Sequence, residues 1–316
     1  MHVLITGGTG FVGRHLVDRL RQDGHQVRIL ARGCDQFPSR FEADDHVDRV
    51  HGSVTDRSVL ESSADEIDAV AHLAGINFER GTQTFRAVHD RGTANVVAAS
   101  QMHDVDRLVL TSYLRARPWD HAGYLASKWV AEEHVRHADV PWTILKPAGV
   151  FGPGDQLLTH LATWFRTVPV LPIPRDAPPL RPVAIEDLID VLHAAITRER
   201  LSRKTVAVMG AESVSLSELA HRVRRHLGRN GWTIPIPLPV LVGGAIAQEL
   251  TLEQPIVTRA SLRMLAEGMM EPAPSGICDP LPRDLGPQRA PSPEYIREAL
   301  AAPERLGLAD IRTPIR

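Results

Sequence analysis

The 316-residue chain is short of cysteine, of lysine and of any excess of charge, and each shortage excludes something. Its two cysteines, Cys34 and Cys278, are too few and too far apart for a disulfide framework or a cysteine metal centre. No metal is expected, and a reducing, cytoplasmic setting is the natural expectation. Lys plus Arg total 36 against 38 Asp plus Glu, a formal net charge of -2. That balance gives no global attraction to nucleic acid or to an anionic membrane. Long apolar runs are missing too. The longest, 238–247, contains Pro239, Gly243 and Gly244 and falls short of the ~20 residues that span a bilayer. It is expected to be a buried or amphipathic helix, so no transmembrane segment is anticipated. Residues 1–6 are apolar but stop at Gly7, too early for a signal peptide. What is present is enough to fold: hydrophobic residues make up 43%, which excludes wholesale disorder.

Short apolar runs alternate with helix-like segments through the first half. Strands are expected at 2–6, 26–31, 47–51, 67–74, 107–112 and 142–145, and helices at 11–22, 56–63, 84–102 and 124–138. Such alternation implies right-handed βαβ units and a doubly wound α/β fold with a parallel sheet. After Phe151 the texture changes. Six prolines from Pro169 to Pro182 predict extended loop, 185–197 a helix, 205–209 a strand, and 215–227 a helix capped by Ser215 with Glu218 completing a capping box. Prolines recur from Pro272 onward, so the tail is expected to wrap the surface.

The strongest local signal is Thr6-Gly7-Gly8-Thr9-Gly10-Phe11-Val12-Gly13, between the first strand and the first helix. Gly8, Gly10 and Gly13 fit G-x-G-x-x-G, and Gly7, Gly10 and Gly13 fit the wider G-x-x-G-x-x-G. Glycines there allow a tight turn and close approach to a pyrophosphate, which the free N–H groups of the helix N-terminus then hold. At the end of the second strand an acid would favour NAD, but the chain has Ala31-Arg32, with Arg14 able to add a second positive charge and Asp35 nearby in opposition. A guanidinium pairs with a 2′-phosphate, so NADP(H) is favoured over NAD(H).

Tyr124 and Lys128 stand one helical turn apart on a shared face. A phenol with a pKa near ~10 is a poor acid–base group at neutral pH, and an adjacent ammonium stabilises its phenolate. The pairing stands out because the chain has only three lysines, Lys128, Lys146 and Lys204.

With these residues in place, the sequence resembles the short-chain dehydrogenase/reductase superfamily, in its extended and atypical branches, from Met1 to about Gly228. The likeness rests on the glycine motif, His72-Leu73-Ala74-Gly75, Gly92-Thr93-Ala94-Asn95, Tyr124 with Lys128, the stretch from Lys146 to Asp155, and Pro182-Val183-Ala184-Ile185-Glu186-Asp187. It is nearest to bacterial relatives of the NADPH-binding accessory subunit of respiratory complex I. The resemblance implies a Rossmann domain over 1–152 and 184–210, with a smaller substrate lobe over 153–183 and 211–316. It implies Tyr124 as general acid/base, Lys128 as its support and ribose ligand, and Thr111 or Ser112 as holder of the substrate oxygen. The cofactor is expected against Gly7, Thr9, Gly10, Phe11, Val12, Gly13, Arg32, Ser53, Val54, Leu73, Ala74, Gly75, Lys128, Pro147, Gly149 and Val150. Three positions depart from the family pattern: Tyr113 can align with the family's serine, His89 stands where Asn is frequent, and Ser53 replaces an acid.

Other residues are read without a catalytic part. His134 and His137 share a helix face, but the adjacent Glu132 and Glu133 are expected to be a solvated charged face with no third metal ligand. Asp44, Asp45, His46 and Asp48 read as a surface loop. Leu161, Trp164 and Phe165 are core or pocket lining, and Arg115, Arg117 and Trp119 a loop that can rim the pocket. The leading expectation is an NADP-dependent oxidoreductase acting on a small carbonyl or alcohol. A non-catalytic NADPH-binding scaffold, assembly factor or redox sensor is the second reading, with docking to a larger complex or a homodimer as its partner. An NAD-dependent nucleotide-sugar epimerase or dehydratase is the third.

Overall fold

The computed structural model describes residues 1–33, 44–119, 123–251, 257–274 and 278–301; Cys34, Asp35 and the end of the proline-rich tail lie outside them. The first strand, β1 (His2–Thr6), runs into α1 (Phe11–Gln22), whose Leu16, Val17 and Leu20 are buried at helical spacing. Strands β2 (Gln26–Ala31) and β3 (Val47–His51) follow, then α2 (Arg57–Ser63), which starts where the Asp56 carboxylate accepts from the amides of Ser58 and Val59. Next come β4 (Ala69–His72), α3 (Gly92–Met102), β5 (Arg107–Thr111), α4 (Tyr124–Arg136) and β6 (Trp142–Pro147). The helix expected from residue 84 is not regular: a π-helical turn over Arg86–Arg91 precedes α3. Periodicity alone does not reveal such a turn, because one inserted residue leaves the apolar pattern nearly intact.

The chain continues through β7 (Val150–Phe151), α5 (Gln156–Thr167), β8 (Val170–Pro174), β9 (Val183–Ala184), α6 (Ile185–Thr197) and β10 (Lys204–Val208). It then forms α7 (Leu216–His226), β11 (Trp232–Ile236), α8 (Leu238–Thr251), α9 (Arg259–Glu267) and α10 (Pro293–Ala301). It divides into two compact units. The first holds Met1–Pro147, Leu188–Val208 and Pro272–Leu285; the second holds Ala148–Asp187, Met209–Glu271 and the described residues from Gly286.

The first unit is a seven-stranded, wholly parallel sheet of order β10-β6-β5-β4-β1-β2-β3. Its central strands are buried on both sides, as an interior parallel strand must be: Val3, Leu4 and Ile5, and Leu108, Val109 and Leu110, are at most 2% exposed. Asp279 covers the edge of β10. Its amide donates to Thr205 O at 2.6 Å and its carboxylate accepts from the Thr205 amide at 3.0 Å.

In the second unit, Asp155 caps α5 and Ser215 caps α7. The Glu218 amide does donate to Ser215 Oγ, but the Glu218 carboxylate pairs with Arg222 instead of closing a capping box. The proline-crowded stretch, expected to be loop, contains β8, which pairs in parallel with β11. The amide of Arg175 donates to Ile236 O and that of Trp232 to Pro169 O. By strand alternation Pro172, Pro174 and Pro235 therefore fall at positions whose nitrogens face away from the partner, where no donor is needed. The carboxylate of Asp187 holds the amides of Gln288 and Arg289, and Glu186 accepts from the Tyr295 hydroxyl at 2.5 Å. The segment 238–247, expected to be buried or amphipathic, lies within α8, where Ala245 is the only buried residue.

Candidate active site

In the seven-stranded sheet the strand order turns outward from β1 in both directions, to β2 on one side and β4 on the other. In doubly wound sheets the crevice at the carboxyl ends of such strands is where ligands bind. The residues at those ends here are Thr6–Gly13 after β1 and Leu73–Gly75 after β4. Gly7 takes a left-handed φ of 75°, and its amide donates to Leu30 O. A β-carbon on Gly13 would sit 2.3 Å from Gly7 O and 2.7 Å from Gly8 Cα, so the helix can enter the turn only without a side chain there. Gly10 begins α1 and offers no side-chain cap, and no acid lies in the first turn. The leading amides of Phe11, Val12 and Gly13 are thus left for an external acceptor, which suits an anionic pyrophosphate. On this test the residues fit a nicotinamide dinucleotide.

His72 braces the site from beneath. Thr93 Oγ1 donates to His89 O at 2.6 Å, so it accepts from His72 Nε2 at 3.0 Å, and His72 Nδ1 then accepts from Thr6 Oγ1 at 2.7 Å. Burial, aided by the charge of Lys128, pushes the imidazole down to about 3, so it stays neutral.

Helix α4 begins after Gly123, which has a left-handed φ of 76°, and it carries both Tyr124 and Lys128. Tyr124 is buried in an aromatic cluster with ring centroids of Phe85, His89 and Tyr113 5.6, 5.9 and 6.1 Å away. Burial raises the phenol above its ordinary range. Burial also lowers Lys128, to about 8, against partial support from Glu132. A β-carbon on Gly75 would stand 3.1 Å from Lys128 Nζ and 3.3 Å from His89 Nε2, so the ammonium reaches the loop after β4. His89, in the π-helical turn, accepts from the Ile76 amide at Nε2 and therefore donates from Nδ1 to Ser127 Oγ at 2.8 Å. Ser127 Oγ donates in turn to the backbone carbonyl of Tyr124 at 2.7 Å. Burial and the nearby Lys128 hold His89 well below its ordinary value.

Comparison with known proteins agrees with this geometry. Residues 7–157 match the NAD(P)H-binding family. A ceramide reductase of Caulobacter vibrioides is 28% identical over 288 residues, 90% of each chain. The mitochondrial NADH dehydrogenase [ubiquinone] 1 alpha subcomplex subunit 9 of Mus musculus is 28% identical over 245 residues, 75% of this chain and 64% of that protein. These similarities agree with the resemblance to the extended branch of the short-chain dehydrogenase/reductases. The structure of UDP-glucuronic acid 4-epimerase from Bacillus cereus with UDP-glucuronic acid and NAD shares the fold, with TM-score 0.73 and 16% identity over 97% of this chain and 100% of that one.

Within the chain the first unit gathers Gly7, Thr9, Gly10, Phe11, Val12, Gly13, Leu73, Ala74 and Gly75 at the strand ends. Gly7 lies so close to Ala74 that a β-carbon would sit 2.8 Å from the Ala74 amide. Arg32 follows β2, is exposed and makes no ion pair among the described residues. Ser53 spends its hydroxyl on Thr55, while Val54 is buried and its carbonyl accepts from Asn95. Pro147 ends β6. Gly149 and Val150 open the second unit, where the Gly149 amide meets Met269 Sδ at 3.0 Å and Val150 pairs with Val183.

The residues after β5 divide by partner. Thr111 Oγ1 is buried and makes no hydrogen bond among the described residues, Ser112 Oγ donates to Glu132 at 2.5 Å, and Tyr113 lies beside Tyr124. Glu132 overturns one expectation: it is fully buried, bound by Lys146, Arg136 and Ser112, and belongs to no solvated face. Its partner Lys146 comes from β6, which a helix-by-helix reading does not bring to α4. His134 Nε2 donates to the Asp90 carboxylate at 2.7 Å, and no cluster of three metal-ligating side chains occurs among the described residues. Leu161 and Phe165 are core of the second unit, with Trp164 packed against them. Sequence reasoning missed Ser127 and the bridging part of His89. The one available signal was His89 itself, an imidazole three residues before the Gly-Thr pair.

Proposed function

We propose that the protein is an NADP(H)-dependent oxidoreductase that interconverts a small, largely apolar carbonyl compound and its alcohol. The observation that carries this reading is Tyr124 and Lys128 on one turn of α4, with the lysine ammonium against Gly75. The glycine turn would hold NADP(H), which when bound would supply or take the hydride. Tyr124 gives its proton to the carbonyl oxygen in the reductive direction and recovers one in the other. Its raised pKa keeps the phenol protonated as an acid, and the Lys128 ammonium stabilises the phenolate left behind. Thr111, whose hydroxyl is uncommitted, is better placed to hold the substrate oxygen than Ser112, which Glu132 occupies. Arg32, which has no ion pair among the described residues, supports the 2′-phosphate of NADP(H) over NAD(H). The reductase named among the relatives aligns over 90% of its length, which supports this class over an epimerase.

A second reading, a nucleotide-holding scaffold, is favoured by Ser112 being tied to Glu132 and by the complex I subunit among the relatives. The two separate by measurement. Protein purified without added nucleotide would be denatured and the released nicotinamide nucleotide identified, and exchange against labelled NADPH timed on the intact protein. Rapid exchange, a preference for NADPH over NADH, and loss of carbonyl reduction in Tyr124→Phe with NADPH affinity retained are expected. Stoichiometric NADPH that does not exchange would favour the scaffold, and unchanged turnover in Tyr124→Phe would defeat the assignment of the acid. Tightly bound NAD would bring the epimerase forward.

A further inference from the structure

The stretch from Asn230 to Gln248 contains no ionisable side chain, and in the second unit it lies largely in solvent. On β11, Trp232 is 69% exposed and Ile234 43%. On α8, Val240 is 65% exposed, Ile246 40% and Leu250 81%. Val240, Gly243, Gly244, Ala247 and Leu250 recur at three- and four-residue spacing, so the solvent-facing stripe of α8 is itself apolar. β-Carbons added to Gly243 and Gly244 would meet nothing within 4 Å, so close packing inside the fold does not explain those glycines. An ordinary surface helix turns its polar face to water; this one does the reverse.

Charge at one border of the stretch indicates what covers it. Arg224, Arg225 and Arg229 precede Trp232 and form no ion pair among the described residues, whereas Arg222 is paired with Glu212 and Glu218. At the other border Glu249 is paired with Arg259. Arg224 and Arg225 meet His221, and Arg224 also Gly231 O, but none of the three meets a carboxylate among the described residues. Three such guanidinium groups, then an exposed tryptophan, then an apolar helix of 14 residues form the pattern of a segment that lies in a membrane interface. The helix is too short to cross, and no described helix is long and apolar enough to do so. The near-neutral charge of the whole chain conceals this cluster because carboxylates elsewhere cancel it.

We propose that β11 and α8 form a docking surface for an anionic lipid bilayer, with Trp232, Val240, Ile246 and Leu250 entering the interface and Arg224, Arg225 and Arg229 meeting lipid phosphates. This goes beyond the proposed chemistry and stands without it. Flotation of the full chain with phosphatidylcholine–phosphatidylglycerol vesicles tests it, with phosphatidylcholine vesicles as control. The wild type should float with the anionic vesicles, less so as salt rises, and weakly with the neutral ones. Arg225→Gln and Arg229→Gln should each weaken binding about fivefold, equivalent to about 1 kcal/mol per basic residue at an anionic surface. Val240→Asp with Leu250→Asp, both exposed and so tolerated by the fold, should abolish flotation while NADPH binding is unchanged. Wild-type protein that stays at the bottom of the gradient, or a double variant that floats as well as wild type, would overturn the proposal. So would a concentration-dependent dimer that the double variant dissolves without any flotation, since a second copy would then cover the stripe. NADPH binding and turnover measured on the same samples tell failure of the docking surface apart from failure of the oxidoreductase reading.

Discussion

Replacing Glu132 by Gln keeps its shape and removes its charge, and the surroundings allow the consequence to be worked out. Glu132 and Lys146 are both 0% exposed. The Lys146 ammonium lies 2.8 and 2.9 Å from the two carboxylate oxygens, donates to Ala116 O at 3.3 Å and sits 5.8 Å from the centroid of the Trp129 ring. Arg136 and Ser112 contribute further hydrogen bonds to the same carboxylate at 2.6 and 2.5 Å. Glu132→Gln therefore leaves a buried ammonium beside a neutral amide, and breaking such a pair from one side costs about 3–5 kcal/mol. In a chain of this size that lowers the melting temperature by roughly 5–8 °C. Lys146→Met should destabilise by a similar amount, because the carboxylate loses the one partner cation that is as fully buried as itself. The double variant removes both charges, so its loss should fall short of the sum by about 2 kcal/mol. Urea unfolding of the four proteins, followed by tryptophan fluorescence, measures that coupling. Single variants that each lose under about 1 kcal/mol, and add in the double, would refute the reasoning.

Gly13→Ala would place its methyl 2.3 Å from Gly7 O, so nucleotide affinity measured by NADPH fluorescence should fall by about a hundredfold or more as the turn deforms. Arg32→Ala should weaken NADPH by roughly ten- to a hundredfold, the equivalent of a charge-assisted hydrogen bond, and leave NADH nearly unchanged in titration. Lys128 titrates near 8 in the folded chain and near its ordinary value when unfolded, so the unfolded state binds more protons between those values. Stability should thus rise with pH from about 8 toward 10.5 as the burial penalty on the ammonium is relieved, and urea midpoints of Lys128→Met should lack that rise.

The doubly wound fold was legible because local signals agreed with one another. The residues of β1, α1 and β2 are bounded by Gly7–Gly10 and by Gly24, and their apolar spacing admits only strand, helix, strand. β8 was hidden because prolines argue against strand unless the side on which their nitrogens fall is known, and that depends on a partner some sixty residues away in β11. The glycine turn, Tyr124 and Lys128 could be picked out because each carries its chemistry in a short motif. Ser127 and the bridging part of His89 could not, because they depend on a contact between the π-helical turn and α4. Glu132 was misread for the same reason: two adjacent acids look like surface until a lysine from another strand is set against one of them.

That lysine has an effect beyond stability. Greasy packing is indifferent to direction, so a helix held by it alone can roll about its long axis at little expense. Helix α4 is denied this freedom, because Glu132 is gripped by three donors from fixed quarters, Ser112 and Lys146 on the sheet side and Arg136 on the helix itself. Lys128 lies one turn before Glu132 on the same azimuth, and Tyr124 one turn before that. The carboxylate thereby acts as an indexing pin, and the angle at which phenol and ammonium face the loop after β4 is set from a point two turns away that substrate never touches.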